Sequence, residues 1–307
     1  MPEPETYSYP RYLNAKKSVD ARALNRRIWT QFVDRLSSRG PLIEILEVGG
    51  GVGATVQRIV EGLEDASVKQ VHFTFVDLEA ANVEAAQDTL RQWATRRGYA
   101  VDDGERQTWA GGPLDVSVRF ITGDLFDLTD ELEDETFDAV VAQAVLDLLH
   151  IPAALRALRP LLRPGGLWYL PIHFDGVTAF EPPVEAALDA RIERLYHESM
   201  PGVGDEEAGP AGMHAGRRLL TCRPDVGGPL LDAGSSDWVV LPRGGGYPGD
   251  EAYFLHHILH FVEDELSGHP ELDRSAFTDW LQARRQQIDD GELIYIAHQL
   301  DVLARSP

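Results

Sequence analysis

The sequence predicts an α/β fold built on a doubly wound, mostly parallel sheet. Short aliphatic runs alternate with longer amphipathic segments along the chain, a pattern typical of buried parallel strands joined by crossover helices. The first aliphatic run, which starts at Leu42, leads directly into glycines and then into a helical segment that starts at Ala54. Such a strand, turn and helix place a ligand at the carboxyl ends of the strands.

The same patterns divide the chain into regions. Residues 1–40 are expected to form a helical arm, because apolar side chains recur at helical spacing until Gly40 and Pro41. Residues 98–115 are polar and Gly-rich and are expected to be a surface excursion, and the alternation breaks again at residues 176–234, where we expect a lid or cap. The core is then expected at residues 41–175 and 235–307. Strands are expected at residues 42–48, 71–77, 116–121, 137–142, 167–173, 238–241 and 293–303, and helices at 54–63, 79–97, 151–162, 184–198, 251–266 and 275–288.

Composition narrows the class of protein. The formal net charge is -22, and so acidic a chain is repelled by phosphate backbones, which argues against a nucleic-acid partner. No run approaches the length of a membrane helix, and the first residues lack the apolar core of a signal peptide. The single cysteine, Cys222, excludes an internal disulfide. A cytoplasmic protein without a membrane contact is expected, and the sequence leaves the oligomeric state open.

Polar side chains mark the predicted strand ends. Glu47 comes just before the glycine turn, Asp77 closes the second strand, and Asp124 follows the third. An acid at the position of Asp77 accepts hydrogen bonds from a ribose diol, and Asp124 could accept one from an exocyclic amine. Residues 143–149 would form the floor of the site. The alternative is that the glycines only make a tight turn and the acids are solvated.

Together these motifs resemble the class I S-adenosylmethionine-dependent methyltransferases. The resemblance depends on Glu47 before a GxGxG loop, Asp77, Asp124 and the turn Pro164, Gly165 and Gly166, and it covers residues 42–173 and the last strand, roughly half of the chain. It implies a seven-stranded, Rossmann-like sheet with an antiparallel last strand, with S-adenosyl-L-methionine as cofactor and S-adenosyl-L-homocysteine as product. The cofactor-binding residues that it implies are Glu47, Gly49, Gly50, Gly51, Gly53, Asp77, Leu78, Asp124, Leu125 and Gln143. The glycines would approach the methionine moiety, and Leu78 and Leu125 would contact the adenine.

In such enzymes an N-terminal segment often folds over the cofactor. We therefore expect Tyr12 and Arg22 of the arm to line the pocket, near the cofactor carboxylate. The alternative is a surface helix whose charges are solvated.

Two other functions stay open at this point. Gly49, Gly51 and Ala54 also satisfy the GxGxxA pattern of NAD(P)-dependent oxidoreductases, although that pattern requires neither Glu47 nor the turn at Pro164. The chain could also be a regulatory module that binds the nucleoside cofactor without turnover.

A small-molecule or lipid-like acceptor is favoured, because the chain is acidic and AQAVLD stands where many amino-methylating enzymes of nucleic acids and proteins carry an NPPY-type motif. His173, at the expected end of the fifth strand, is the candidate catalytic base, and its alternative is a histidine bonded within a hinge. Asp147 could orient the acceptor or cap a helix. Tyr196 and His197 could reach the pocket from the lid.

Three histidines, His256, His257 and His260, suggest a metal site by their spacing. The glutamate of an HExxH motif is missing, however, and apolar neighbours make the segment an ordinary buried helix. No metal is expected.

Overall fold

The computed structural model describes residues 3–128, 132, 136–200, 212–221 and 228–307. Ten strands of these residues form one sheet, in the order β3-β4-β5-β2-β1-β6-β7-β10-β8, with β9 beside β10. Their bounds are β1 Leu42–Val48, β2 Gln70–Asp77, β3 Ala100–Asp103, β4 Gln107–Ala110, β5 Asp115–Thr122, β6 Phe137–Ala142, β7 Leu162–Glu181, β8 Leu230–Ser235, β9 Trp238–Val240 and β10 Ile294–Arg305.

Parallel pairing runs through the centre of the sheet. Strand β1 lies between β2 and β6, and β5 and β7 continue the parallel set on either side. Strand β10 is antiparallel to β7, β8 and β9. The predicted doubly wound sheet and its antiparallel last strand are therefore confirmed, although the described residues form ten strands where seven were expected, and the strand expected at 238–241 is β9 beside β10.

Ten helices of the described residues cover the sheet. Their bounds are α1 Tyr9–Ala23, α2 Arg26–Ser37, α3 Ala54–Leu63, α4 Ala80–Arg96, α5 Leu125–Leu128, α6 Ile151–Leu158, α7 Ala186–Ser199, α8 Ala215–Thr221, α9 Glu251–Leu266 and α10 Arg274–Asp290. Alternate residues of the central strands face two separate apolar clusters, as Ile45 and Leu46 do. Both faces of the sheet are thus buried, which explains why the central strands read as continuous aliphatic runs.

Four local expectations are corrected. The arm is two helices, because the chain leaves the helical conformation at Leu24, and Asn25 caps α2 by accepting from the Ile28 N–H at 3.3 Å. The expected surface excursion at residues 98–115 contains β3 and β4, which extend the sheet beyond β5. The helix expected at 151–162 ends at Leu158 and continues as a 3₁₀ turn, Arg159–Leu161.

The fourth correction concerns β7, which is much longer than the expected 167–173. It includes the predicted turn at Pro164 to Gly166 and continues to Glu181 by pairing with β10. Residues 176–181 and β8 of the expected lid therefore belong to the sheet. The division into arm, core and lid stays a prediction, and Cys222 and parts of the lid (201–211 and 222–227) lie outside the described residues.

Candidate functional site

A cavity of about 600 Å³ lies at the carboxyl ends of β1, β2, β5 and β6. This volume is within the range of pockets that hold drug-sized ligands. Most of the predicted cofactor residues line it: Gly49, Gly50, Gly51, Asp77, Leu78, Asp124, Leu125 and Gln143. The structure thus brings the glycine turn, both strand-end acids and the floor loop to one place.

The glycine turn is held against the end of β2 by its backbone. The N–H groups of Gly49 and Gly50 donate to the Val76 carbonyl at 2.8 and 3.2 Å. Gly49 has φ +64°, a left-handed conformation that favours glycine. A Cβ atom on Gly50 would lie only 2.1 Å from Cε2 of Phe75. The turn therefore requires glycines at both positions.

Asp77 is oriented before any ligand arrives. Its Oδ2 accepts from the Gly51 N–H at 2.8 Å, and its Oδ1 accepts from the Glu79 N–H at 3.0 Å and from Nδ2 of Asn82 at 3.1 Å. These donors occupy three of about four lone-pair positions of a carboxylate. A fixed acceptor with remaining capacity suits a ligand hydroxyl. Asn82, which also lines the cavity, was missed because a polar residue in the first turn of a helix is common.

Asp124 lies beside Asp77 but is more exposed. The Gly123 N–H donates to the Asp77 carbonyl at 3.0 Å and joins the two strand ends. Oδ1 of Asp124 accepts from the Phe126 N–H at 2.8 Å, which fixes the carboxylate. Leu78, 61% exposed, and Leu125, which is buried, supply apolar surface next to these acids. This part of the cavity can hold a flat ring that carries a polar edge.

A polar network ties the floor of the cavity to α1. Oε1 of Gln143 accepts from Arg58 Nη1 at 3.0 Å, and its Nε2 donates to Asp20 Oδ2 at 2.9 Å. Trp238 Nε1 donates to the other oxygen of Asp20 at 2.9 Å, and the Lys16 ammonium lies 3.6 Å from Asp20. Burial raises the pKa of Asp20, and Lys16 opposes that shift. Lys16 and Asp20 line the cavity, and the sequence analysis missed both.

Glu47 and Gly53 lie beneath the cavity and do not line it. Glu47 is 2% exposed, and burial raises its pKa to about 8, although a hydrogen bond from Thr55 acts in the opposite direction. Its Oε2 has no hydrogen-bond partner among the described residues. Gly53 is the N-cap of α3, where φ is +77° and a Cβ would meet Leu90 at 2.8 Å. The Gly53 N–H donates to the Gly50 carbonyl at 3.0 Å and so closes the glycine turn.

The structure contradicts the expected placement of Tyr12 and Arg22. The Tyr12 ring stacks on His257 of α9 with centroids 4.6 Å apart, and Arg22 forms a two-pronged ion pair with Glu251 at 2.5 and 2.9 Å. Neither lines the cavity. A neighbouring stripe of α1 does so instead, with Tyr9, Pro10, Leu13, Lys16 and Asp20.

The structure also contradicts the placement expected for a catalytic base. His173 is fully buried in the middle of β7, its Nδ1 lies 3.3 Å from the Leu170 carbonyl oxygen, and burial lowers its pKa to about 3. It does not line the cavity, and neither do Asp147, Tyr196 and His197. Asp147 is half-buried and lies in the chain between the lining residues Val145 and Leu148, and burial raises its pKa. His173 lies away from the cavity because β7 continues past it to Glu181, which places the residue inside the sheet.

The three histidines of α9 contact aromatic and acidic side chains. His257 stacks on Tyr12, His260 stacks on Tyr7 at 4.0 Å, and Nε2 of His256 lies 3.7 Å from Asp289. Across the described ranges, no group of three or more His, Cys, Asp or Glu side chains could hold a metal ion. His257 and His260 thus connect the arm to α9, and His256 faces α10.

Comparison with known proteins gives a matching family. Residues 46–168 match a family model described as a methyltransferase domain. Among curated proteins, the chain is 28% identical over 135 residues to the hybrid PKS-NRPS synthetase buaA of Petromyces alliaceus, covering 44% of this chain and 3% of that protein. It is 26% identical over 228 residues to the hybrid PKS-NRPS synthetase tasS of Hapsidospora irregularis, covering 74% and 4%.

The chain thus spans a small fraction of these relatives. A solved SAM-dependent methyltransferase from Thiobacillus denitrificans, in complex with S-adenosyl-L-homocysteine, is similar with a TM-score of 0.44 and 15% identity, covering 97% of this chain and 99% of that one.

Proposed function

Because this chain belongs to the class I S-adenosylmethionine-dependent methyltransferases, we propose that it methylates a small-molecule acceptor bound between α1 and the loop after β6. One observation supports this most. A single cavity joins the glycine turn and two fixed strand-end carboxylates to a side bounded by α1 and residues 143–149. The first part fits the nucleoside cofactor, and the second has room for an acceptor.

The lining residues fit the cofactor in chemical type. Asp77 would accept from a ribose hydroxyl, Asp124 from the adenine amine, and Leu78 would contact the ring. Lys16, the one lining cation among the described residues, would bind the carboxylate that was expected for Arg22. The glycine turn would lie along the methionine moiety, since Gly49, Gly50 and Gly51 line the cavity with backbone alone.

Held by the glycine turn, Asp77 and Asp124, the cofactor would supply an electrophilic methyl group; the acceptor's nucleophile would bond to the methyl carbon as the carbon–sulfur bond broke, sulfur would keep the electron pair, and the acceptor proton would pass to solvent. The chain's own contribution is then chiefly position, which can lower the barrier by several kcal/mol. The Asp20 carboxylate is held between Gln143 and Trp238, so it orients the floor of the cavity rather than moving freely.

Two finer expectations stay predictions. A chain of net charge -22 is poorly suited to a polyanionic acceptor, which supports a small molecule over nucleic acid. Of the helices in the described part of the chain, none is long and apolar enough to span a bilayer; a cytoplasmic location is untested.

Calorimetry with S-adenosylmethionine, S-adenosylhomocysteine and NAD tests the cofactor assignment. Asp77→Ala should weaken the binding of S-adenosylhomocysteine by about 10- to 100-fold, because a hydrogen bond to a charged group contributes roughly 1.5–3 kcal/mol. Asp102→Ala, which removes an exposed carboxylate of β3, is the control. Leu78→Asp, at an exposed position, should weaken binding without a folding defect.

Transfer itself is tested with a radiolabelled methyl donor. The matching curated relatives are named as polyketide synthases or hybrids of them, so acyl compounds with ketone groups are the first acceptors to screen. Transfer to a small molecule supports the proposal. Tight binding of both adenosyl compounds without transfer to any acceptor would favour a regulatory module, and preferential binding of NAD would favour an oxidoreductase.

A further inference from the structure

Apolar side chains press on the glycine turn from both sides. A Cβ atom on Gly51 would lie 3.2 Å from Cδ1 of Leu13, and one on Gly49 would lie 2.5 Å from Cγ2 of Val145. Leu13 belongs to α1, and Val145 belongs to the loop after β6. The apolar surface of the cavity therefore begins beside the turn that would hold the methyl donor.

This surface continues outward to solvent on both elements. Tyr9 lies one helical turn before Leu13 and is 45% exposed, and Leu148 lies three residues after Val145 and is 58% exposed. With Leu149, these four residues form what we call the apolar wall of the cavity. Large exposed apolar side chains that cluster at a cavity mouth indicate a surface that binds something apolar.

The charges of the cavity select against an anion. Four lining residues are acidic, Asp20, Asp77, Glu79 and Asp124, against the single lining cation Lys16, which already lies 3.6 Å from Asp20. The apolar wall adds only the phenol of Tyr9, and burial with the nearby Asp147 carboxylate raises its pKa, so it stays neutral. An anionic acceptor would meet repulsion without a free cation to offset it.

We infer that the apolar wall binds the hydrocarbon chain of an uncharged methyl acceptor, which runs from the glycine turn to Leu148 at the mouth. This inference rests on the proposed function, and it adds the substrate class: a neutral molecule with an alkyl or acyl chain. Leu148 is largely exposed at the mouth, so only the longer acceptor chains would contact it, and it would determine the preferred chain length.

A chain-length series tests the inference directly. Neutral 2-alkanones of increasing length, and the fatty carboxylates of matching length, are titrated by calorimetry into the full chain, with and without S-adenosylhomocysteine. Each added methylene of the ketone should tighten binding by about two- to fourfold while the wall has room, since a buried CH₂ contributes up to about 0.8 kcal/mol. The carboxylates should bind more weakly at every length.

Leu148→Asp should weaken binding of the longest ketone about tenfold or more, as expected for loss of a buried leucine contact, with unchanged affinity for S-adenosylhomocysteine. Leu42→Asp is the matched control, because Leu42 is 39% exposed at the start of β1 and does not line the cavity. If melting shows that Leu148→Asp is unstable, Leu148→Ala should show the same direction of effect.

Affinity that does not rise with chain length, carboxylates that bind as well as ketones, or a Leu148 variant that binds like the Leu42 control would overturn the inference. Failure of S-adenosylhomocysteine to bind would instead count against the proposed function. The ketone titration of the free protein would still report on the apolar wall.

Discussion

Replacement of Glu47 by Gln should change how the stability of the protein depends on pH. Glu47 lies under the glycine turn, is 2% exposed, and has its pKa raised by burial from 4.5 to about 8. Its Oε2 has no hydrogen-bond partner among the described residues. The folded protein therefore keeps a proton on Glu47 at neutral pH that the unfolded chain has already lost.

The sign follows from proton linkage. Between the unfolded and the folded pKa the native state binds more protons, so the free energy of unfolding falls as pH rises and levels off above about pH 8. Each pH unit in that window corresponds to about 1.4 kcal/mol. Between pH 6 and pH 9, Glu47 alone should lower the free energy of unfolding by roughly 2.5 kcal/mol, because the fall ends once the folded group has ionised.

Urea denaturation from pH 6 to pH 9 measures the effect as a difference between the two proteins. Other titrating groups cancel in that difference. Glu47→Gln should gain stability relative to the parent as pH rises, and Glu84→Gln, which removes an exposed carboxyl of α4, should not show this gain. A constant difference between parent and Glu47→Gln across this range would refute the argument and would mean that Glu47 is already ionised in the native state.

The remaining predictions concern His173 and Arg22, which were expected at the cavity and do not line it. His173→Gln should leave the kcat of methyl transfer within about threefold, since His173 does not line the cavity, whereas a loss of 100-fold or more, with unchanged melting, would indicate a base. Arg22→Ala should cost roughly 2 kcal/mol of unfolding free energy in denaturant titrations, because it leaves the fully buried Glu251 without its cation, while the partly exposed guanidinium moderates the cost. Arg26→Ala, at an exposed position of α2, is the control, and an equal loss in both variants would contradict the reasoning.

The strand ends around the cavity were predictable because local chemistry specifies them. Glycine at positive φ, as at Gly49 and Gly53, can be inferred from a turn that directly follows a buried strand. A carboxylate at the end of the next parallel strand, Asp77, must then lie at the same edge of the sheet. These inferences needed only the alternation of strands and helices, and the structure confirms that the turn and both acids meet in one cavity.

Long-range pairing was harder to predict. Strand β7 continues to Glu181 because β10, more than a hundred residues later, supplies its partner. No local signal shows that Gly176 lies within a strand, so His173 was expected at a strand end when it lies well inside the sheet. The hairpin of β3 and β4 was not predicted for the same reason. Its polar residues are typical of a loop, and the segment forms strands because β4 pairs with the edge of β5.

For the arm, the helix was predicted correctly, but the side of the helix that faces the cavity was not. Helix α1 carries tyrosines and basic residues around much of its surface: Tyr9 and Lys16 line the cavity, whereas Tyr12, whose ring lies next to that of Tyr9, and Arg22 contact α9. Periodicity identifies a helix but cannot decide which of two amphipathic faces meets a partner. That choice depends on α9, whose buried Glu251 needs a cation and whose aromatic face accepts Tyr12.

Helix α1 has two roles: it lines the cavity and it contacts α9. Tyr12 and Arg22 contact α9 without lining the cavity, whereas Tyr9 does both, because its ring also lies 6.4 Å from that of His257. Lys16 lines the cavity and has no ion pair with α9 within the described residues, but its ammonium lies 3.6 Å from the buried Asp20. A change at Lys16 should therefore lower both ligand affinity and stability, because it leaves the Asp20 carboxylate buried without its cation, whereas a change at Arg22 should lower stability and leave ligand affinity unchanged.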